Sequence, residues 1–316
     1  MLLVATLVAL AGGEVVLRLL APDSGFAVGR EYQWFRQGDA RMQDAFVTDP
    51  ELGFRPRFGS ALYSEHGTLF NDYPLEKTAG RRRLLFLGDS VTARGCLQEA
   101  LAGLDGGDGF EYWNAGVESY NVVQEAAYYH RLDPRIRPDH VILLFHNNDF
   151  SPTPVAFRDR GRLVVYSPEL SLGPAGAWAF QHSRVYRLLL GSWVRIRRQF
   201  ADPMIPMAER TARDLASLRD ELAGEGIRFS VILLPAFKPP GSWSELERRS
   251  RARALELLDA GGYRYFDLLP VLEDAAAAGV PLEETPGDFW HPSEALCTRF
   301  AGFLAARGLL DGRPRG

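Results

Sequence analysis

Five short apolar runs, each bounded by turn-forming residues and separated by segments of helical period, constrain this chain more than any other feature of its sequence. They end at Gly88 (RLLFLG), Gly116 (FEYWNAG), His146 (HVILLFH), Pro235 (IRFSVILLP) and Leu269 (YRYFDLL). VILLF and SVILL are apolar at successive positions rather than alternating, as parallel strands are when helices cover both faces. The intervening segments suit crossover helices. In the stretch from Met207 to Gly226, Ala212, Leu215, Leu218 and Leu222 recur at helical spacing and a glycine closes it. The expectation is an α/β protein, a three-layer α/β/α domain built on a five-stranded parallel sheet.

Ahead of this pattern, Leu2 to Ala21 is apolar apart from Thr6, Glu14 and Arg18, and Pro22 ends it. About 20 helical residues reach roughly 30 Å, the thickness of a bilayer core, so residues 1–22 read first as an N-terminal hydrophobic helix acting as a membrane anchor. Glu14 and Arg18 are spaced to pair within it. A cleaved signal peptide is the alternative, since Ala9-Leu10-Ala11 fits an A-x-A site, and a buried helix is the plain reading of the same text. Arg18, Arg30 and Arg36 follow the apolar run and, counted as positive charges, favour a cytoplasmic body. Residues 23–82 show no sustained period and read as an irregular lead-in that packs on the main domain. That domain, 83–316, carries an insertion at 150–206 holding a hairpin (GRLVVYS) and an amphipathic helix (SRVYRLLLGSWVRIRR).

Composition removes several function classes. With 46% hydrophobic and 24% charged residues the chain can bury a large core, and a net charge of −4 gives no basic surface for nucleic acid. The runs Arg81 to Arg83 and Arg195 to Arg198 read as solvated faces. Two cysteines are too few for a zinc site, and His66, His130, His140 and His182 have no metal-ligand spacing. No metal and no cofactor is implied.

Parallel α/β sheets bind ligands beyond the carboxyl ends of their strands. The first run leads into Gly88-Asp89-Ser90-Val91-Thr92, where glycine permits a sharp exit. A serine at the start of the next helix meets backbone amides and a positive dipole end that stabilise an oxyanion. Alone, this triplet is equally a turn with an N-cap. Near the other end, Asp288-Phe289-Trp290-His291-Pro292 follows a Pro/Gly loop. A serine hydroxyl is a poor nucleophile until a base takes its proton, and the base needs an acceptor on its second nitrogen. Asp288 can hold His291 in that way. A lone D-x-x-H is a loop histidine beside a carboxylate; joined to the serine triplet it supplies base and orienting acid.

In order along the chain, GDSVT at Gly88 to Thr92, the glycine of NAG at Gly116, Asn148-Asp149 in HNND, and D-x-x-H at Asp288 to His291 resemble the four blocks of the SGNH (GDSL-like) hydrolases, over roughly Arg83 to Arg307. The resemblance implies a flavodoxin-like sheet and a serine esterase with no cofactor. Ser90 would be the nucleophile, His291 the base and Asp288 its orienting acid. The Ser90 and Gly116 amides and the Asn148 side chain would form the oxyanion hole. It further implies a carbohydrate or lipid O-acyl ester as substrate, with a short acyl group such as acetyl. Membrane-anchored relatives extend this to a tethered body outside the cytoplasm, against the arginine count. An acyltransferase using the same triad and a non-catalytic glycan-binding or assembly protein on this fold are the alternatives. His146 stands where the third block usually has glycine. With Asp149 it is a candidate substrate contact, although a hydrogen bond inside the strand-end loop is the plainer role. In the family's topology the first and last helices pack side by side, which implies similar depths for Cys96 and Cys297, each six residues beyond a catalytic residue. A disulfide and two separate buried thiols both fit.

Overall fold

The computed structural model of the protein describes residues 2–20, 40–106, 109–159, 162–166, 172–197 and 204–311. Pro22, the first part of the lead-in with Arg30 and Arg36, and Arg198 lie outside the described residues. The chain forms two compact units, one of Met1–Ala61 with Ser151–Ile205 and one of Leu62–Phe150 with Pro206–Gly316.

In the second unit all five apolar runs form strands: β1 (Arg82–Leu87), β2 (Phe110–Asn114), β3 (His140–Phe145), β4 (Arg228–Leu233) and β5 (Tyr265–Asp267). They make one parallel sheet in the order β2-β1-β3-β4-β5, so the α/β class with a five-stranded parallel sheet is the observed architecture. The helices are α1 (Ser90–Arg94), α2 (Cys96–Asp105), α3 (Val122–Tyr129), α4 (Met204–Gly224), α5 (Glu245–Ala260), α6 (Leu269–Ala277) and α7 (Glu294–Ala306). Leu84, Phe86, Ile142, Leu144 and Ile232 share one core with Leu97 and Leu101 of α2, Leu272 of α6, and Phe300 and Leu304 of α7. The alternate residues Leu85, Val141, Leu143 and Val231 point to the opposite face and are buried as well. Burial on both faces is the reason these strands carry no alternation. The order reverses direction at β1, and the chain leaves β1 and β3 at the edge where open α/β sheets bind ligands.

Arg83 departs from the solvated face read from its arginine run. The β1–β2 register sets it directly beside Glu111, and both side chains are fully buried. Its Nε donates to Glu111 Oε2 at 2.6 Å, and its remaining donors reach the carbonyls of Pro74, Leu75 and Ile136 at 3.1, 3.1 and 2.5 Å. The guanidinium also lies 4.6 Å from the Trp113 ring centre. Composition could not show this, because register, not the run of charges, decides which arginine turns inward. Burial works against a charge on Glu111. Hydrogen bonds from Thr78 and Arg83 and the guanidinium charge outweigh it and hold the carboxyl below the usual range.

The first unit holds two antiparallel hairpins, Phe46–Asp49 with Gly53–Pro56 and Val155–Asp159 with Arg162–Tyr166. The lead-in is therefore not irregular throughout: a short helix, Ala40–Ala45, and the first hairpin form within it. It divides at Ala61, its later part belonging to the second unit. In the insertion, Val155, Phe157, Ala177, Phe180 and Leu190 make a small core. The Leu2–Leu20 helix contacts the start of the Arg184–Arg197 helix. There Glu14 accepts from Ser183 Oγ and the Val185 amide at 3.0 Å each, and pairs with Arg18 at 2.7 Å. Among the described residues no helix is long and apolar enough to cross a membrane. Glu14 and Arg18, the charges already noted in this segment, confine its uncharged part to Leu2–Gly13, roughly 18 Å at 1.5 Å per residue.

Replacing Glu111 by leucine strands a buried guanidinium and is expected to cost about 3–5 kcal/mol at neutral pH, read from urea unfolding. The pair's contribution is present above the carboxyl's unfolded pKa of about 4.3 and is lost as pH falls through its lower folded value, so Glu111→Gln should flatten the acid limb of the stability profile. A variant as stable as the parent, with the same acid limb, would contradict this account.

Candidate active site

Three strand ends and one late loop build the site, all within the second unit. At the end of β1 a Cβ on Gly88 would collide with the Thr92 hydroxyl, so only glycine lets the chain turn sharply into α1. Asp89 caps that helix, its Oδ1 accepting from the Val91 amide at 2.9 Å. Ser90 is therefore presented on a single helical turn. The helix read from the sequence is broken at Gly95, whose φ of 79° is left-handed, and resumes as α2. Five residues carry little macrodipole, which moves oxyanion stabilisation onto individual donors.

At the end of β2 a Cβ on Gly116 would overlap the backbone of Ala93, so glycine is what brings this loop against α1. Asn114 fastens the approach from both ends of its amide: Nδ2 donates to the Thr92 carbonyl at 2.6 Å and Oδ1 accepts from the Gly116 amide at 2.9 Å. The buried Tyr63 hydroxyl donates to the Gly116 carbonyl at 3.1 Å. The Gly116 N–H is thus held by its own loop and must share its hydrogen with an oxyanion to serve the hole. At the end of β3 a 3₁₀ turn over Asn147–Phe150 carries Asn148, whose Nδ2 donates to the Tyr120 carbonyl at 3.1 Å, leaving one amide hydrogen for a ligand.

The late loop completes the constellation across 201 residues of sequence. His291 Nε2 lies 3.0 Å from Ser90 Oγ, and Nδ1 lies 2.8 and 3.0 Å from Asp288 Oδ2 and Oδ1. The Asp288 Oδ1 also accepts from the Trp290 amide at 3.3 Å, and the His291 amide returns to the Asp288 carbonyl. One tight turn therefore holds acid and base together. The side chains of His291 and Asp288 are 13% and 25% exposed, so the pair is reachable from solvent. Glu284, Asp288 and His291 bring ligand-type atoms within 4.8 Å of one another. Both imidazole nitrogens are already engaged, and Glu284 pairs with Arg94, so the donor set suits a triad rather than a cation.

Ser90, Gly116, Asn148, Asp288 and His291 thus converge. His146 and Asp149, the candidate substrate contacts, do not present themselves: they are 2% and 0% exposed, behind the site. Asp149 Oδ2 accepts from the His146 amide at 2.6 Å. Burial, then the charge of Asp89, pushes the Asp149 carboxyl well above its usual range. Sequence reasoning missed Glu118, two residues past Gly116. Burial foremost raises its carboxyl, and it lies in the field of Arg94, His291 and Asp288. Nothing in its spacing marked it; Ser119 beside it, at φ 67°, shows that the loop there is constrained.

Cys96 of α2 and Cys297 of α7 are joined by a disulfide with Cα atoms 6.1 Å apart, which decides between the two fates open in the sequence. Ser293 caps α7 at the Leu296 amide, 3.1 Å away. Bridge and cap fix the helix that follows His291 to the helix that follows the Ser90 turn.

No family model matches the chain, and no curated protein matches it. Among solved structures it is similar to an alpha/beta hydrolase enzyme from the metagenome of Lake Arreo, Spain, at 16% identity and a TM-score of 0.47, over 76% of this chain and 100% of that one. It is also similar to an acetylxylan esterase from Geobacillus stearothermophilus, at 15% identity and a TM-score of 0.46, over 72% and 94% of the two chains.

Titration of the denatured, unreduced protein should find no free thiol. Replacing both cysteines by serine should cost about 2–5 kcal/mol of stability. Two reactive thiols in the unreduced protein would show that the bridge does not form.

Proposed function

We propose that the protein is a serine ester hydrolase of the SGNH type, the unbroken hydrogen-bonded chain from Ser90 through His291 to Asp288 being the observation that carries the reading. Ser90 Oγ stands within proton-transfer distance of His291 Nε2. As Oγ bonds to the acyl carbon, its proton passes to Nε2, and Asp288 stabilises the imidazolium through Nδ1–H. Collapse breaks the bond to the alcohol, which leaves with that proton. A water molecule then gives a proton to Nε2 while attacking the acyl-serine, and the second collapse releases the acid and returns the proton to Oγ. The negative oxygen of each tetrahedral species is held by the Ser90 and Gly116 amides and the free Asn148 hydrogen.

The substrate in this reading is a carbohydrate or lipid ester of a short acyl group such as acetyl. Trp290, 44% exposed next to His291, supports it by offering an apolar face to the alcohol. The acyltransferase alternative uses the same acyl-serine and differs only in the acceptor. A catalytically inert binding protein would have no use for the aligned triad. The disulfide supports a body in an oxidising compartment outside the cytoplasm. Contact with a membrane surface is supported by exposed Val4, Val8, Val15 and Leu19 on the Leu2–Leu20 helix and exposed Leu189, Trp193 and Ile196 on the Arg184–Arg197 helix.

On a chromogenic acetyl ester, Ser90→Ala should lower turnover by about 10⁶ with the fold unchanged. Asn148→Ala should lower kcat by about 10² to 10³ with little change in KM. Turnover by Ser90→Ala at the parent rate would end the assignment. Free acid formed without any added sugar marks the hydrolase, and acyl transfer only in the presence of an acceptor marks the alternative. Full-length protein should float with phosphatidylcholine vesicles, and substitution of Val4, Val8, Val15 and Leu19 by glutamine should leave it at the bottom of the gradient; equal flotation would remove the membrane contact.

A further inference from the structure

We propose that His146 is a positioning residue that sets which way the Asn148 carboxamide faces, and thereby aims its free N–H at the oxyanion; the inference rests on the ester-hydrolase reading above. His146 Nδ1 lies 3.2 Å from Asn148 Oδ1. A carboxamide oxygen only accepts, so the ring must carry a hydrogen on Nδ1 to make this bond. The next polar atom facing that nitrogen, Asp89 Oδ2 at 3.7 Å, is an acceptor too and favours the same tautomer. Nε2 on the far side of the ring is buried with no hydrogen-bond partner among the described residues.

Two bonds now act on one amide. His146 holds Oδ1 and the Tyr120 carbonyl holds one hydrogen of Nδ2. Turning the amide over would set Nδ2 against the Nδ1–H and Oδ1 against a carbonyl, two repulsive contacts. Without His146 the Tyr120 bond alone would remain, and it fixes neither the twist of the amide nor the direction of the second hydrogen. Oxyanion donors act through preorganisation, so a donor free to turn away loses most of its effect.

The ring itself is held from several sides. It stacks on Phe237 with centroids 5.5 Å apart and 13° between planes, and meets the edge of Trp290 at 5.8 Å. The Phe237 amide donates to the Phe289 carbonyl at 3.1 Å, joining that stack to the loop that carries His291. The backbone of His146 is pinned by Asp149. A glycine here, the residue that the family resemblance places at this position, would supply neither the donor nor the wedge.

The test compares His146→Phe, which keeps the ring and its stack but removes the donor, with His146→Asn, whose amide can place an N–H near the Nδ1 position. On the chromogenic acetyl ester His146→Phe is expected to lower kcat by about 10- to 100-fold with KM within about twofold, and His146→Asn to recover most of the loss. In an Asn148→Ala background His146→Phe should cost nothing further, which a merely structural role would not produce. If His146→Phe does not fold, His146→Gln replaces it, since its longer side chain carries the amide past Nδ1; kcat for Asn should exceed that for Gln. An unchanged kcat in the Phe variant, an effect on KM alone, equal rates for Asn and Gln, or the same loss with and without Asn148 would overturn the role of His146 while Ser90-dependent turnover stands. A parent protein with no Ser90-dependent turnover would overturn both readings.

Discussion

A methyl group at position 116 would overlap the backbone of Ala93, and the catalytic edge is arranged around its absence. Backbone meets backbone there, and the contact sets how far the β2 loop stands from the nucleophile turn. Asn114 then bonds across it to Thr92 and back to Gly116, so the spacing is fixed by one side chain and two steric limits. Gly88 plays the matching part at the exit of β1, where any side chain would displace Thr92. Strand ends of a parallel sheet lie about 4.8 Å apart, and donors from neighbouring ends can serve one oxygen atom only if the loops fold inward without side chains between them.

The features legible in the sequence were those set by local pattern. Five strands could be read because burial on both faces leaves a run such as Val141 to Phe145 apolar at every position. Ser90, Asp288 and His291 could be read together because GDSVT follows a strand end and D-x-x-H lies just ahead of a helical pattern, places where a motif and a change of period coincide. What escaped depends on pairing between distant segments. Arg83 looks like its neighbours Arg81 and Arg82 until β1 is set beside β2 in register, when it alone faces Glu111. The Phe46–Asp49 strand is too short to show a period, and its partner begins only four residues later. The disulfide was left open beside two separate thiols, because the adjacency of α2 and α7 followed from the resemblance and not from spacing along the chain. The break at Gly95 was open to reading, since glycine in a helix costs roughly 1 kcal/mol, yet without the fold its left-handed conformation was not.

Behind the oxyanion side of the site lie two carboxyls that no substrate can reach. Glu125 and Asp149 are fully buried, and burial first and neighbouring negative charge second push both carboxyls well above the usual carboxylate range. Asp149 accepts the His146 amide and so helps to fix the 3₁₀ turn that carries Asn148. A polar interior here costs stability through the orphaned oxygens of Glu125. Buried strain of that kind next to a reacting centre is where sequences commonly depart from the most stable choice.

Asp288 is placed differently from Ser90. Ser90 is positioned by the sheet, through β1 and the glycine exit. Asp288 is positioned by a single loop turn, a quarter exposed, with His291 three residues away. A local turn places acid and base relative to each other with little help from the core, but it does not place the pair relative to Ser90. That task falls to the segments flanking the loop. The Phe237 amide holds the turn itself through the Phe289 carbonyl; after it, Ser293 caps α7 and Cys297 ties α7 covalently to α2, the helix that continues from the Ser90 turn. The 3.0 Å contact between Ser90 and His291 is therefore the sum of one sheet-borne and one helix-borne constraint, and the disulfide lies on the shortest path between them.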